Sequence, residues 1–178
     1  MQPTMRGGFL PRWLTSYASP MTHADILHRC HWNEQDWASL TVDSGLLGQP
    51  VTVCFMPAYN AGRVITDEMV AVLHDFLALT PADLPAIRQL LWEDCLRYFA
   101  EIDYGVEAEP GETEVQANQR EFGVYSAEDA FAQCRLRQVS IPQGGPRMSY
   151  RLGTIDFEAE WAERGCSVLL QDGRLDSS

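Results

Sequence analysis

Lysine is absent from this sequence. All 13 basic residues are arginines, and 25 acidic residues outnumber them, which gives the 178-residue chain a formal net charge of −12. A field of this sign repels phosphate backbones and anionic lipid headgroups, and it attracts cationic groups. We therefore expect no direct binding of nucleic acid or membrane, and a basic protein as the favoured partner.

The sequence also lacks the motifs that mark common catalytic and cofactor sites. It contains no G-x-S-x-G, no glycine-rich phosphate loop and no H-E-x-x-H. Its cysteines form no C-x-x-C pair, so we expect reduced thiols in the core rather than a disulfide framework. They are Cys30, Cys54, Cys95, Cys134 and Cys166. These absences predict a non-catalytic protein without a cofactor.

Long apolar runs are missing too. No run reaches the length of about 18 residues that a membrane-spanning helix needs. Near the N-terminus, Pro11 and Arg12 interrupt a short apolar patch, which is unlike the apolar segment of a secretory signal. A cytoplasmic location is therefore the expectation.

The strongest periodic pattern in the chain predicts an amphipathic helix over residues 84–104, with Asp83 as its cap. Thr66 is a suitable cap for a preceding helix that buries Leu73 and Phe76. A short connection between two helices favours antiparallel packing, so we expect a helix hairpin.

Alternating apolar residues predict strands before and after these helices. Residues 37–43 and 51–55 read as two antiparallel strands, and further strands follow after residue 138. The order predicts an α+β fold: a largely antiparallel sheet with the helix hairpin packed on one face. We expect an irregular N-terminal arm over residues 1–20 and a single domain over residues 21–178.

The apolar alternation changes phase near Gly153. Met148, Tyr150 and Leu152 share one parity, and the apolar residues from Ile155 onwards share the other. A β-bulge at Gly153 would keep both halves on one core, because a one-residue slip turns every later side chain to the opposite face.

Two acidic segments are the candidate partner-binding residues. The first is an exposed acidic loop at about 106–121, with little to bury, and the second is an outer strand face. The loop contributes Glu107, Glu109, Glu112 and Glu114; the strand contributes Asp156, Glu158 and Glu160, followed by Glu163. Such surfaces are complementary to a basic protein, where charge steers encounter and sets specificity.

Three other interpretations stay open from the residues alone. Paired carboxylates on the strand suit a small hydrolase. His28, Cys30 and His31 are the one local group of metal-type ligands, although a matching second half is missing downstream. A regulatory adaptor with a different protein partner would share the same acidic surface.

The C-terminal segment IDFEAEWAERGCSVLLQDGRL resembles the end of a bacterial domain-of-unknown-function family. The residues that carry this resemblance are Phe157, Trp161, Glu163, Gly165, Val168, Asp172 and Gly173, with a weaker match at Tyr98, Phe99, Ser126, Glu128 and Asp129. The family has an acidic residue after the Trp and a His before the Gly, where this chain has Ala162 and Arg164. Small acidic domains of this kind are similar in size and context to immunity proteins that neutralise a cognate polymorphic toxin. The resemblance implies that role.

Overall fold

A computed structural model describes residues 21–177. The predicted N-terminal arm, residues 1–20, lies outside the described residues. The helices are α1 His23–Arg29, α2 Asp67–Leu77, α3 Leu84–Glu101, α4 Glu114–Phe122 and α5 Ala127–Ala132. The strands are β1 His31–Trp32, β2 Ala38–Ser44, β3 Gln49–Met56, β4 Arg135–Pro142, β5 Leu152–Ala159, β6 Ala162–Gln171 and β7 Arg174–Ser177.

The seven strands form one sheet in which their spatial order is their order along the chain. Every neighbouring pair is antiparallel except β3 and β4, which are parallel. A parallel pair needs a long crossover, and residues 57–134 supply it with helices α2 to α5. The predicted α+β class and the largely antiparallel sheet are confirmed.

One face of the sheet carries the core. Leu40 lies opposite Val53, and Val53 lies opposite Val139. The row continues through Ile155 and Val168, and all five side chains are buried. Because side chains alternate along a strand, a single register places all of these residues on the same side. Helix α2 packs against β4 and β6, and α3 packs against β6 and β7.

The structure does not show the predicted antiparallel hairpin of α2 and α3. The axis turns through 83° between α2 and the helical segment that starts at Pro81. Thr80 and Asp83 form a capping box around Pro81, so a new helical turn begins almost directly after α2 ends. The predicted cap at Thr66 is confirmed, because its side chain accepts a hydrogen bond from the Met69 amide.

The predicted bulge at Gly153 is wrong. Strand β5 begins only at Leu152, so Met148 and Tyr150 lie in the preceding loop and need not share its phase. Gly153 faces the core, where a Cβ atom would lie 2.7 Å from Cγ1 of Val72. The register shifts instead between Phe157 and Ala159.

The acidic loop is shorter than predicted. Helix α4 occupies its second half, from Glu114, and buries Ala117 and Asn118. The Thr113 side chain and the Gln116 side chain form a capping box at its start. Residues 106–113 remain without helix or strand.

Within residues 21–177, no single helix is both long and apolar enough to span a membrane; α2 and the segment Pro81–Glu101 would meet that test only together, as a bent pair.

A candidate acidic binding surface

Tyr104 joins the two acidic segments that the sequence presents separately. Its hydroxyl donates a hydrogen bond of 2.6 Å to the carbonyl oxygen of Trp161, in the turn between β5 and β6. The Tyr104 ring packs edge-on against Phe99 and Phe122, with centroid distances of 5.9 and 5.0 Å. The start of the acidic loop is thereby held beside the β5–β6 turn.

A second tyrosine, on α3, contacts both the start of β6 and the turn residue Trp161. The Tyr98 hydroxyl donates to the carbonyl oxygen of Gly165 at 3.0 Å, and its ring meets Trp161 edge-on at 5.9 Å. Trp161 is fully buried, so the turn is anchored in the core by a large side chain. Burial raises the pKa of Tyr104 to about 12, which keeps its hydroxyl protonated and able to donate.

Five exposed carboxylates lie within three residues of Tyr104 or Trp161 along the chain, and we call them the acidic end. They are Glu101, Asp103, Glu107, Glu160 and Glu163. Among the described residues none of the five forms an ion pair. The Tyr104–Trp161 hydrogen bond brings the two acidic segments together, so an outside cation would meet carboxylates from both.

Part of the acidic end lines a cavity of about 460 Å³. Glu101 and Glu163 contribute carboxylates to it, and Arg97 and Arg164 contribute guanidinium groups. Arg97 is already bound to the carboxylate of Asp94, one helical turn before it. The charge that Arg97 offers to the cavity is therefore largely neutralised, whereas Arg164 forms no ion pair among the described residues and offsets part of the negative charge of Glu101 and Glu163.

The other carboxylates of the acidic loop differ from one another. Arg120 donates to the Glu112 carboxylate at 3.0 Å and to the Glu107 carbonyl oxygen at 3.1 Å. The hydrogen bond from Arg120 lowers the pKa of Glu112. Glu112 therefore shapes the loop, whereas the side chains of Glu109 and Glu114 are exposed.

The sequence predicted that the three strand carboxylates share one exposed face, and the structure shows that they do not. Asp156 is half-buried and accepts hydrogen bonds from the hydroxyls of Ser140 and Ser167, the latter at 3.0 Å. Glu158 lies 4.0 Å from Arg137. Glu160 belongs to the β5–β6 turn, because β5 ends at Ala159.

Asp94 is a buried carboxylate on α3, although its polar neighbours Glu93 and Arg97 predict an exposed face at this position. Its side chain is only 8% exposed, and burial raises its pKa despite the ion pair with Arg97. Its position next to Cys95 and three residues after Leu91 was the available signal, because this places it at the margin of the buried stripe.

All five cysteines are free thiols, and the surroundings of Cys30, Cys54, Cys95 and Cys166 raise the thiol pKa. Burial raises the pKa of Cys95 to about 12 and that of Cys30 to about 11. For Cys166, a hydrogen bond with Cys134 and burial both raise the pKa. A thiol attacks as its thiolate, and these surroundings disfavour that form.

The predicted metal-type group does not converge. His28 and His31 are exposed, and within residues 21–177 no three His, Cys, Asp or Glu side chains are arranged to hold a metal ion.

No protein-family model, no curated protein and no solved structure matches this chain.

Proposed function

We propose that this chain is a non-catalytic protein-binding domain that inhibits a basic partner by covering it with the acidic end. The role is that of a cytoplasmic immunity protein that neutralises a cognate bacterial toxin. The observation that carries the proposal is the hydrogen bond from Tyr104 to Trp161, because it gathers carboxylates from two distant segments into one surface.

The charge pattern suits inhibition by occlusion. A net charge of −12 accelerates encounter with a basic protein, and the acidic end then gives the encounter a direction. Exposed carboxylates without internal partners lose hydration and side-chain freedom, but no existing ion pair, when they meet arginine or lysine side chains. An inhibitor of this kind needs no chemistry of its own.

The acidic end also ranks the predicted partner-binding residues. Glu107, Glu160 and Glu163 belong to the acidic end, whereas Glu109 and Glu114 lie further along the loop. Glu112 and Asp156 have hydrogen-bond partners within the chain, so their removal would change local structure as well as the surface, and Glu158 lies 4.0 Å from the exposed Arg137, which offsets its charge. Glu107, Glu160 and Glu163 are therefore the residues to test.

The test begins with capture of the partner from a lysate of the source cells, followed by a titration with the purified partner. We compare the wild type with the triple variant Glu107→Gln, Glu160→Gln, Glu163→Gln. The control changes the same total charge at exposed positions elsewhere: Glu68→Gln, Glu93→Gln, Glu128→Gln.

The triple variant should bind about tenfold more weakly, since three pairs at roughly 0.5 kcal/mol each total about 1.5 kcal/mol. Its affinity should also depend less steeply on salt than that of the control. Equal affinities and equal salt slopes for the two triple variants would refute the acidic end as the binding surface.

The identity of the partner then separates immunity from the adaptor role. Expression of the captured partner alone should arrest growth, and co-expression of this chain should restore it. A partner that is harmless when expressed alone would replace the immunity role with that of a regulatory adaptor.

A further inference from the structure

A second cavity lies near the other end of the strands, between the β1–β2 loop and the loop after β3. It measures about 370 Å³ and includes Glu34, Trp37 and Tyr59 in its lining. The side chain of Trp37 is 41% exposed and that of Tyr59 is 95% exposed. Two large aromatic side chains beside one cavity are typical of a binding surface, where tyrosine and tryptophan are enriched.

Hydrogen bonds hold the first of the two loops. The Asn33 side-chain oxygen accepts hydrogen bonds from the amides of Gln35, at 3.0 Å, and Trp37, at 2.9 Å. The Asn33 amide in turn donates to the Trp37 carbonyl oxygen at 2.9 Å. The backbone that carries the indole ring is therefore fixed on both sides.

The second loop is tied to the first and to the sheet. Arg63 donates to the Asp36 carboxylate at 2.9 Å and so bridges the two loops. The Gln143 side chain accepts a hydrogen bond of 2.9 Å from the Ala58 amide. Asn60 has a φ angle of 65°, which closes a tight turn and leaves Tyr59 at its tip. The backbone of the cavity is therefore preformed and loses little conformational entropy on binding, whereas the exposed Tyr59 side chain would become ordered by the ligand.

The charge of the cavity selects a cation. Asp36 is neutralised by Arg63, whereas Glu34 is exposed and forms no ion pair within residues 21–177. An aromatic face attracts a cation through its quadrupole, and a nearby carboxylate adds to that attraction. Guanidinium groups stack on aromatic rings and are more weakly hydrated than ammonium groups.

We propose that this cavity binds the guanidinium group of an arginine side chain presented by a peptide or protein. The aromatic rings of Trp37 and Tyr59 supply the stacking surfaces, and Glu34 supplies the counter-charge. The site is separate from the acidic end, which lies at the β5–β6 turn, so it does not depend on the proposed inhibition. It would give the chain a second point of attachment for a basic chain segment.

The test is an NMR titration of the full chain, labelled with ¹⁵N, by two short peptides. Ac-Gly-Arg-Gly-NH₂ carries the cation, and the peptide with citrulline in place of arginine is its uncharged analogue of similar shape. The arginine peptide should shift the Trp37 indole and Tyr59 amide signals with a dissociation constant in the millimolar range. The citrulline peptide should bind at least several-fold more weakly.

Two variants then test the individual groups. Glu34→Gln and Tyr59→Ala should each weaken binding on the order of two- to fivefold. Glu128→Gln and Tyr125→Ala are matched controls at exposed positions outside the cavity and should leave binding unchanged.

Equal affinities for the arginine and citrulline peptides would overturn the proposal, and this comparison needs only the wild-type chain. Shifts confined to residues outside the cavity, or equal losses in the variants and their controls, would overturn it as well. The signals are local to Trp37 and Tyr59, so failure here leaves the test of the acidic end unaffected.

Discussion

The hydroxyl group of Tyr104 connects the start of the acidic loop to the β5–β6 turn. Replacement of Tyr104 by Phe removes this donor and keeps the ring, which packs against Phe99 and Phe122. The carbonyl oxygen of Trp161 then loses its partner inside the protein. We expect the variant to fold and to be less stable, with a looser acidic end.

The magnitude follows from the burial of the bond. An internal hydrogen bond contributes about 0.5–1.5 kcal/mol net, and a buried acceptor left without a donor costs about 1–3 kcal/mol. Trp161 is fully buried and Tyr104 is half-buried, so we expect a loss of about 1–2 kcal/mol. For a chain of this size the melting temperature should fall by roughly 2–8 °C.

Urea unfolding of Tyr104→Phe and of the matched variant Tyr125→Phe measures this loss. Tyr125 is 61% exposed, so its hydroxyl is well placed to bond with water, and removal should cost less than about 0.5 kcal/mol. Hydrogen exchange should become faster in residues 103–113 of Tyr104→Phe and stay unchanged in Tyr125→Phe.

The pH dependence supplies an independent check. The pKa of Tyr104 rises from 10.0 to about 12 in the folded protein, so folding favours the protonated hydroxyl. Its stabilising effect is present below pH 10 and is lost as the pH rises from 10 towards 12. The difference in the free energy of unfolding between the wild type and Tyr104→Phe should therefore become smaller in that range. Equal stabilities of Tyr104→Phe and Tyr125→Phe at neutral pH would refute the reasoning.

Two further predictions concern the core. Gly153→Ala should lower the free energy of unfolding by about 1–3 kcal/mol in urea, because the added methyl group meets Val72. Val72→Ala in the same chain should remove most of that loss. Strictly additive losses in the double variant would contradict the contact. Burial raises the pKa of Asp94 above its ordinary 3.8, so the wild type should lose stability relative to Asp94→Asn as the pH rises from about 4 to 7. If the free energy of unfolding of the wild type instead rose relative to that of Asp94→Asn over this range, the burial of an ionised Asp94 would be contradicted.

The local parts of the fold were predictable because each has a signal within a few residues. Thr66 caps α2, as its position in the sequence predicted, and Ser126 caps α5 by accepting a hydrogen bond from the Asp129 amide, with the spacing of a capping box. The start of α4 had the same kind of signal in Thr113 and Gln116, but acidic residues around it suggested a solvated loop. The acidic composition of this segment favoured a loop, but the capping pattern of Thr113 and Gln116 correctly indicates the start of a helix.

The arrangement of the two proposed binding surfaces could not be predicted, since each depends on contacts between distant parts of the chain. The bond from Tyr104 to Trp161 joins residues 57 positions apart, and neither residue lies in a pattern that specifies the other. The predicted β2–β3 pairing does bring Ala38 beside Phe55, and hence Trp37 near Tyr59. It says nothing about their exposure, which is set by the turns at Asp36 and Asn60.

The parallel pairing of β3 with β4 divides the sheet into two ribbons, β1 to β3 and β4 to β7, each connected by short links. The strands of each ribbon can pair starting from their own turns. Pairing β3 with β4 requires that the chain segment 57–134 closes into a loop. Formation of that junction is therefore the slow step expected in folding, because contacts distant in sequence form last. A chain stalled before this step would expose the unpaired edges of β3 and β4, which are the surfaces most prone to wrong pairing.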